Sequence, residues 1–463
     1  MTTITPFDRA VLLDAGIAPE RLERAGIPVG MPVVFADDRR PISVLNQWLR
    51  SLPTRGCRSP NTWRGYAKDV VIWQDHLDGH GVDLFAGRRA LRDALGTLYV
   101  RFRIDPALED RWSAATWNRF VAAIDNLYNW AVEEELTASL PFSYSWARNP
   151  HTGQMVRRNR ATERNSRRHA TIRWLGEEQY KCFRDIGMLG LSPDGSPDPG
   201  FHGRHAARNA AFVDLLAGSG VRVQEGSHLL IWELPELPAD HPVFVDLPLP
   251  GSICKGGAAR RTWLPLDALR RLHRYVGFER AVVAARSRWS PTDALEVSDT
   301  GPASGRIGGK KVRWAALGPA ERRRLVMPDG GSPLLGLTSV GSPMTDWEEV
   351  FGAAAARCRG LDPLFPSRVH PHMLRHSFSI SALAWLQREA ARVATRNARA
   401  GDTGVLAQYQ ATFDPLIALR DLLGHASVST TQVYLQIKDS SRLWVTLEID
   451  DFDGESGDEF GAP

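Results

Sequence analysis

Cysteine is scarce. Four cysteines, Cys57, Cys182, Cys254 and Cys358, are scattered through 463 residues, and no two form a C-x-x-C pair. That spacing argues against a zinc knuckle and for reduced thiols rather than a disulfide framework. Long apolar runs are lacking too. None reaches the ~20 residues that cross a bilayer, and no charged-then-apolar leader follows Met1. The expectation is a soluble cytoplasmic protein, associated with the nucleoid if it meets DNA, and with no membrane partner. Nor is there a large excess of one charge. The 57 Lys and Arg against 53 Asp and Glu leave +4, so any surface for nucleic acid has to come from local clustering. Apolar residues, at 43%, are sufficient for real cores. The length predicts two or three domains.

Residues 1–40 carry short helical pieces, Asp8 to Ala15 and Pro19 to Ala25, broken by Gly and Pro. They read as an N-terminal extension without an assigned role. From Pro41 the pattern is firmer. Pro41 to Leu52 reads as one helix, and Ser59-Pro60-Asn61-Thr62 opens a second, with Trp63, Tyr66, Ala67, Val70 and Leu77 at helical spacing. A third lies between Arg88 and Arg103. Ser113 begins a fourth, with Trp117, Phe120, Val121, Ile124, Leu127, Tyr128 and Ala131 on one stripe. An all-helical domain over 41–145 follows. Met155 to Arg173 then holds Arg157, Arg158, Arg160, Arg164, Arg167, Arg168 and Arg173 against Glu163 alone, without an apolar stripe, which predicts a basic linker over 146–173. From Trp174 the pattern is mixed. Arg204 to Ala217 is an apolar-faced helix, Gly218-Ser219-Gly220 breaks it, and Val221 to Glu225 starts another. Val243 to Leu247, Gly251 to Lys255 and Arg261 to Leu264 alternate like short strands.

Two runs near the end carry the chemistry. The first is His370-Pro371-His372-Met373-Leu374-Arg375-His376. On a helix, His372 and Arg375 share a face, and Pro371 suits its first turn. The second is Leu422-Leu423-Gly424-His425-Ala426-Ser427-Val428-Ser429-Thr430-Thr431-Gln432-Val433-Tyr434. Gly424 can end one helix and Ser427 cap the next, with Tyr434 about two turns in at ~3.6 residues per turn. Together the runs read as a phosphate-handling site with a tyrosine nucleophile. His372 and His376 also have the spacing of helical zinc ligands, with His370 nearby. The general-base Glu of H-E-x-x-H is absent, because position 373 is Met. No metal is expected, and His376 reads as a hydrogen-bonded supporting residue.

The combination H-x-L-R-H with L-L-G-H-x-S-x-x-T-T-x-x-Y resembles the signature of the tyrosine recombinases, the phage integrase family. The resemblance implies a mainly α fold with a small β-hairpin or sheet: a helical core-binding domain plus a mixed α+β catalytic domain over 174–449. The S-x-N-T-x-x-x-Y opening at Ser59 to Tyr66 looks like the core-binding domain, which clamps one face of the duplex. Between two such domains, Arg157, Arg158, Arg160, Arg164, Arg167 and Arg168 would track phosphates. Arg222, with Glu225 three residues on, resembles the family's first arginine motif, with Glu225 positioning the arginine. Lys255, in Cys254-Lys255-Gly256-Gly257, looks like the lysine of its catalytic hairpin. The sequence departs from compact members at about 287–331 and 388–412, which reads as two insertions. The first brings Lys310 and Lys311 as rivals to Lys255.

A phosphodiester repels nucleophiles and has a poor leaving alkoxide. Two arginines offer planar donors to its nonbridging oxygens, a role that Arg222 and Arg375 fit, with His425 as a further donor. Tyr434 would attack, with an ordinary pKa of ~10 that calls for a base. His372 is the candidate base and Lys255 the acid. The resemblance further implies a 3′-phosphotyrosine that keeps the bond energy, so no cofactor is expected. It also implies double-stranded DNA with specific recombination sites as partner and a homo-tetramer in the synaptic complex; the segment around Leu443 to Leu447 then docks either on its own domain or, as the resemblance implies, on the next protomer. Residues 450–463 form an acidic tail. Two other readings stay open: a type IB topoisomerase, and a non-catalytic DNA-binding regulator on the same scaffold.

Overall fold

The computed structural model describes residues 2–138, 140–148, 153–163, 172–291, 293–400, 404 and 412–436. The expectations for Arg164, Arg167, Arg168, the segment around Leu443 to Leu447 and the acidic tail fall outside these residues. The chain divides into two compact units, Met1–Arg168 and His169–Pro463.

The first unit is a helical bundle with two small two-stranded sheets. It runs β1 (Thr3–Pro6), α1 (Arg9–Asp14), α2 (Pro19–Ala25), β2 (Pro32–Phe35), α3 (Ser43–Ser51), α4 (Pro60–Gly79), α5 (Arg88–Tyr99), α6 (Ala114–Glu133), β3 (Tyr144–Arg148) and β4 (Met155–Asn159). Pro60 opens α4, and the Ser113 hydroxyl caps α6 by accepting from the Thr116 amide at 3.1 Å. The expected stripe on α6 is buried throughout and meets Trp48, Trp63 and Trp73. Buried polar tips find partners there. The Trp73 indole donates to the Tyr128 hydroxyl at 3.1 Å, and that hydroxyl donates to the Leu84 carbonyl at 2.7 Å.

Residues ahead of Pro41 join this core. β1 and β2 pair antiparallel, Met31 and Val34 are buried within the helical cluster, and the Asn46 side chain brackets the Val34 backbone at 2.8 and 2.9 Å. The basic run differs from a plain linker. Met155–Asn159 is a strand paired with Tyr144–Arg148, and Glu163 accepts from Tyr99 and Arg103 at 2.8 and 3.0 Å. The absent apolar stripe misled the linker expectation, because a strand can be held by its ladder alone. Arg157 lies over the Tyr144 ring, 3.4 Å from its centroid.

The second unit is built around α8 (Ala206–Ser219), buried on nearly every side. Before it comes α7 (Glu177–Cys182). After it come α9 (Val223–Ser227), the hairpin β5 (Phe244–Leu249) and β6 (Arg260–Pro265), α10 (Leu266–Tyr275) and α11 (Ala281–Ala285). The middle segment, Gly251–Ile253, is a 3₁₀ turn rather than the expected strand. Residues 287–331 do not form a long loop. β7 (Leu295–Thr300), β8 (Ser304–Ile307), β9 (Lys310–Arg313), α12 (Pro319–Arg322) and β10 (Leu325–Val326) give a four-stranded sheet of order β10-β7-β8-β9. Its small core is Leu230, Val297, Trp314, Leu325 and Leu334. Arg322, fully buried, ties this sheet to the rest of the unit. It bonds both Glu233 carboxylate oxygens at 2.6 and 2.8 Å and the carbonyls of His228, Trp314 and Leu317.

α13 (Glu348–Leu361) leads to α14 (Pro371–Ala400). The segment from Arg388 therefore begins as a continuation of the helix that holds His372 and Arg375. α15 (Pro415–Leu423) and α16 (Val428–Thr431) close the described chain.

Candidate active site

The ends of helices, all within the second unit, bring the predicted residues together. α8 ends at Gly220 with φ +62°, and a Cβ there would lie 2.2 Å from the Phe378 ring, so only glycine fits. This turn delivers Arg222 to the N-cap position just ahead of α9. The Glu225 carboxylate accepts from the Arg222 amide at 2.7 Å and from its guanidinium at 2.9 Å. Glu225 is buried, and it also accepts from Arg260 at 2.5 Å.

Arg260 is the residue that sequence reasoning missed. It starts β6, and it bonds the Leu422 carbonyl at 3.1 Å. It also occupies the space a side chain at Gly424 would need, since a Cβ there would lie 2.5 Å from its Cδ. Only its place at the end of the Lys255 hairpin could have drawn notice.

Arg375, 1% exposed, donates to the carbonyls of Gly220 and Leu423, the latter at 2.6 Å. It thereby joins the C-terminal ends of α8 and α15, where carbonyls lack helical partners and a cation is favoured. Burial, then the positive charges of Arg222 and Arg260, lower its pKa to about 9. Three arginines around one carboxylate leave a net positive pocket suited to a phosphate.

Gly424 closes α15 in the left-handed region as predicted. His425 follows, its Nδ1 3.0 Å from the Thr431 hydroxyl. Burial and the charges of Arg375, Arg222 and Arg260 bring its pKa to about 4. Tyr434 differs from expectation in backbone: α16 ends at Thr431, and the tyrosine sits on a 3₁₀ turn, Gln432–Gln436. It is 6% exposed. Burial raises its pKa, against a hydrogen bond with Ser379 and the charges of Arg375 and Arg222.

The histidine beside that hydroxyl is His376, whose Nδ1 lies 2.9 Å from Tyr434 Oη. His372, the expected base, stacks edge-on against His376 with ring centroids 4.5 Å apart. Burial, then His372, His370 and Arg375, bring the His376 pKa to about 4, so its imidazole is neutral at pH 7. His372 is lowered by desolvation, then by Arg375, His370, Arg222 and Lys255. Lys255 therefore belongs to this charge cluster; it lies exposed in the turn where Gly256 and Gly257 both take positive φ. Arg157, Arg158 and Arg160 lie in the other unit, exposed. Among the described residues, no group of three or more His, Cys, Asp or Glu is placed to hold a metal ion, and no helix is long and apolar enough to cross a membrane.

These pKa values carry a stability prediction. His228, His376 and His425 are all brought to about 4 in the folded chain, whereas unfolded histidine titrates near ~6.5. Between those values the unfolded chain binds more protons, so stability falls as pH drops. Melting temperature is expected to decline steadily from pH 7 to 4.5, and His425→Gln should flatten that decline. A melting temperature constant over the range would contradict the buried neutral histidines.

Parts of the chain are similar to known proteins. Residues 45–135 match the phage integrase N-terminal SAM-like domain. Over 121 residues the chain is 36% identical to tyrosine recombinase XerC of Methylobacterium sp. (strain 4-46), a stretch that covers 26% of this chain and 27% of that relative. The match thus spans about a quarter of the curated relative's length. Among solved structures, XerH site-specific recombinase in a post-cleavage complex with palindromic difH substrate is similar at 14% identity and a TM-score of 0.47, covering 91% of each chain. The Tn1549 transposon integrase with circular intermediate DNA is similar at 15% identity and a TM-score of 0.43, covering 84% of this chain and 94% of that one. The first unit thus holds a stretch that matches the phage integrase SAM-like domain, and the second holds the H-x-L-R-H and L-L-G-H-x-S…Y motifs that resemble the signature of the tyrosine recombinases.

Proposed function

We propose that this chain is a site-specific DNA recombinase that cleaves and rejoins double-stranded DNA through a 3′-phosphotyrosine intermediate. The observation that carries the reading is the buried Tyr434 hydroxyl, 2.9 Å from a neutral histidine and within the field of Arg375 and Arg222. Arg222 and the remaining N–H groups of Arg375 take the nonbridging oxygens. His425 adds a donor, and Glu225 and Arg260 hold the arginines in place. Preorganised cations of this kind are the largest expected contribution to catalysis. The Tyr434 oxygen forms the new bond to phosphorus, and its proton passes to His376, beside which His372 stands. The bond to the 5′ oxygen breaks, and Lys255 supplies that oxygen with a proton. The reverse sequence reseals the strand, so neither ATP nor a metal enters.

The natural partners of such a reaction are duplexes with specific recombination sites, brought together by four copies of the chain, and a mobile element is the setting that best suits it. The organisation that goes with this reading is a DNA-clamping helical domain over 41–145, Arg157, Arg158 and Arg160 on the backbone, and a catalytic domain from 174.

A nicked duplex that loses its short 5′ fragment on cleavage tests the reading. The chain is expected to become covalently attached through Tyr434. Lys255→Ala should slow attachment about a hundredfold or more with an ordinary 5′-oxygen leaving group, yet hardly at all with a 5′-bridging phosphorothiolate, which leaves without a proton. Equal losses on both substrates would remove Lys255 as the acid. Relaxation of supercoiled plasmid lacking any specific site would favour a topoisomerase.

A further inference from the structure

Lys310 and Lys311 are left over by this mechanism. They lie on β9, which forms a ribbon with β8 through the turn Gly308-Gly309, where both φ values are positive, 54° and 77°. A two-residue turn of this kind matches the twist of a tight hairpin. The ribbon, residues 304–313, contains Arg306, Lys310, Lys311 and Arg313 and no acidic residue. Arg306 has work inside the fold: it faces Asp299 of β7 in register and donates to the Gly309 carbonyl at 2.8 Å. Lys310, Lys311 and Arg313 are exposed. Lys311 stands directly opposite Arg306 in the ladder. Like charges so placed weaken a ribbon, so folding alone gives no reason for that pairing.

Lys311 and Arg313 thus share one face with Arg306, whereas the other face, where Lys310 stands opposite Ile307 beside the turn, is pinned at its root. A Cβ at Gly305 would lie 2.2 Å from the Trp314 ring, and Ile307 packs into the Trp314 core. The root of the ribbon packs on segments that lead into the active site. Trp314–Ala316 packs beside Gly251–Ile253, just ahead of Lys255. Arg322 holds the His228 carbonyl at 2.8 Å, one residue after the helix that Arg222 begins. Four residues from Trp314 to Lys310 reach ~13 Å outward at ~3.3 Å per residue.

We propose that the β8–β9 ribbon is a second DNA-contacting element, in which Lys310, Lys311 and Arg313 neutralise backbone phosphates of the duplex beside the phosphate held at Tyr434. The proposal rests on the reading of the chain as a DNA recombinase. Backbone rather than base contact follows from the side chains: three cations, and no Asn or Gln in the ribbon to read a base edge.

The test is the full chain with Lys310→Ala, Lys311→Ala and Arg313→Ala together, compared with Lys311→Ala alone. Duplex affinity is measured over a range of salt. The slope of log K against log salt should flatten by about 0.9 per lost contact, about 2.7 for the triple variant. The loss should be equal on duplexes of unrelated sequence. Covalent attachment at saturating nicked duplex, and melting temperature, should match the unmodified chain. An unchanged slope would overturn the proposal, and so would a loss confined to one sequence. A chain that binds duplex with the steeper slope but never attaches covalently would instead refute the recombinase reading and leave the ribbon standing.

Discussion

Tyr434→Phe is expected to abolish covalent attachment to DNA while leaving duplex affinity within about twofold. The substitution removes one oxygen and keeps the ring. The ring belongs to a buried cluster that includes Phe378, Leu383, Leu419 and Leu423, so the fold around it should hold. What disappears is the nucleophile, and no other group replaces it: nearby His376 and Ser379 point to the same oxygen. Catalysis by residual binding cannot make a bond that has no acceptor, so the loss is expected to reach the detection limit rather than a fixed factor. The measurement is the yield of protein–DNA adduct on nicked duplex after denaturing electrophoresis, beside a binding isotherm. An adduct of normal yield in the Phe variant would move the nucleophile elsewhere. Tyr409, the nearest alternative in sequence, lies in no matching motif.

The second large effect concerns Arg375. Its guanidinium is buried and already donates to the carbonyls of Gly220 and Leu423, so Arg375→Ala would leave both acceptors and a cavity behind. Buried acceptors left unpaired cost about 1–3 kcal/mol each, so that variant mixes a folding defect with a catalytic one. Arg375→Lys separates them. Lysine keeps the charge but replaces five donors in a planar fork by a rotating ammonium. It cannot hold both carbonyls and two phosphate oxygens at once. The expected result is adduct formation slowed about 10²–10³-fold, the size seen when one preorganised oxyanion donor is lost, with duplex affinity reduced much less. The measurement is the single-turnover rate of attachment, with melting temperature as the control. Attachment at the normal rate in the Lys variant would reduce Arg375 to a strut between helices.

The two substitutions also show where sequence was sufficient and where it was not. The Tyr434 and Arg375 motifs are short and contiguous. Gly424 ends a helix because of its own backbone freedom, and Pro371 opens one for an equally local reason. The stripe on α6 follows from the period of one helix. Such features depend on near neighbours in the chain, and the structure places them where the sequence implied.

Other features were out of reach because their partners are far away. Arg260 becomes part of the arginine cluster only when β6 packs against the start of α9 and the end of α15, joining residues 35 and 162 positions apart. His376 rather than His372 meets the tyrosine because of how a 3₁₀ turn after α16 lies on α14, 58 positions away. A strand at Met155–Asn159 carries no apolar pattern and exists through its ladder with Tyr144–Arg148. The Gly- and charge-rich stretch at 287–331 reads as a loop until Trp314 and Arg322 find Leu230 and Glu233 upstream. The sequence by itself thus determined the long helices, the turn glycines and the kinds of group gathered around Tyr434. Tertiary structure alone decided which histidine touches the tyrosine, which third arginine joins the cluster, and that 295–326 folds as a sheet. The physical reason is that helix periods and caps are written within a few residues, whereas burial, charge pairing and strand ladders depend on groups that the chain brings together only when it folds.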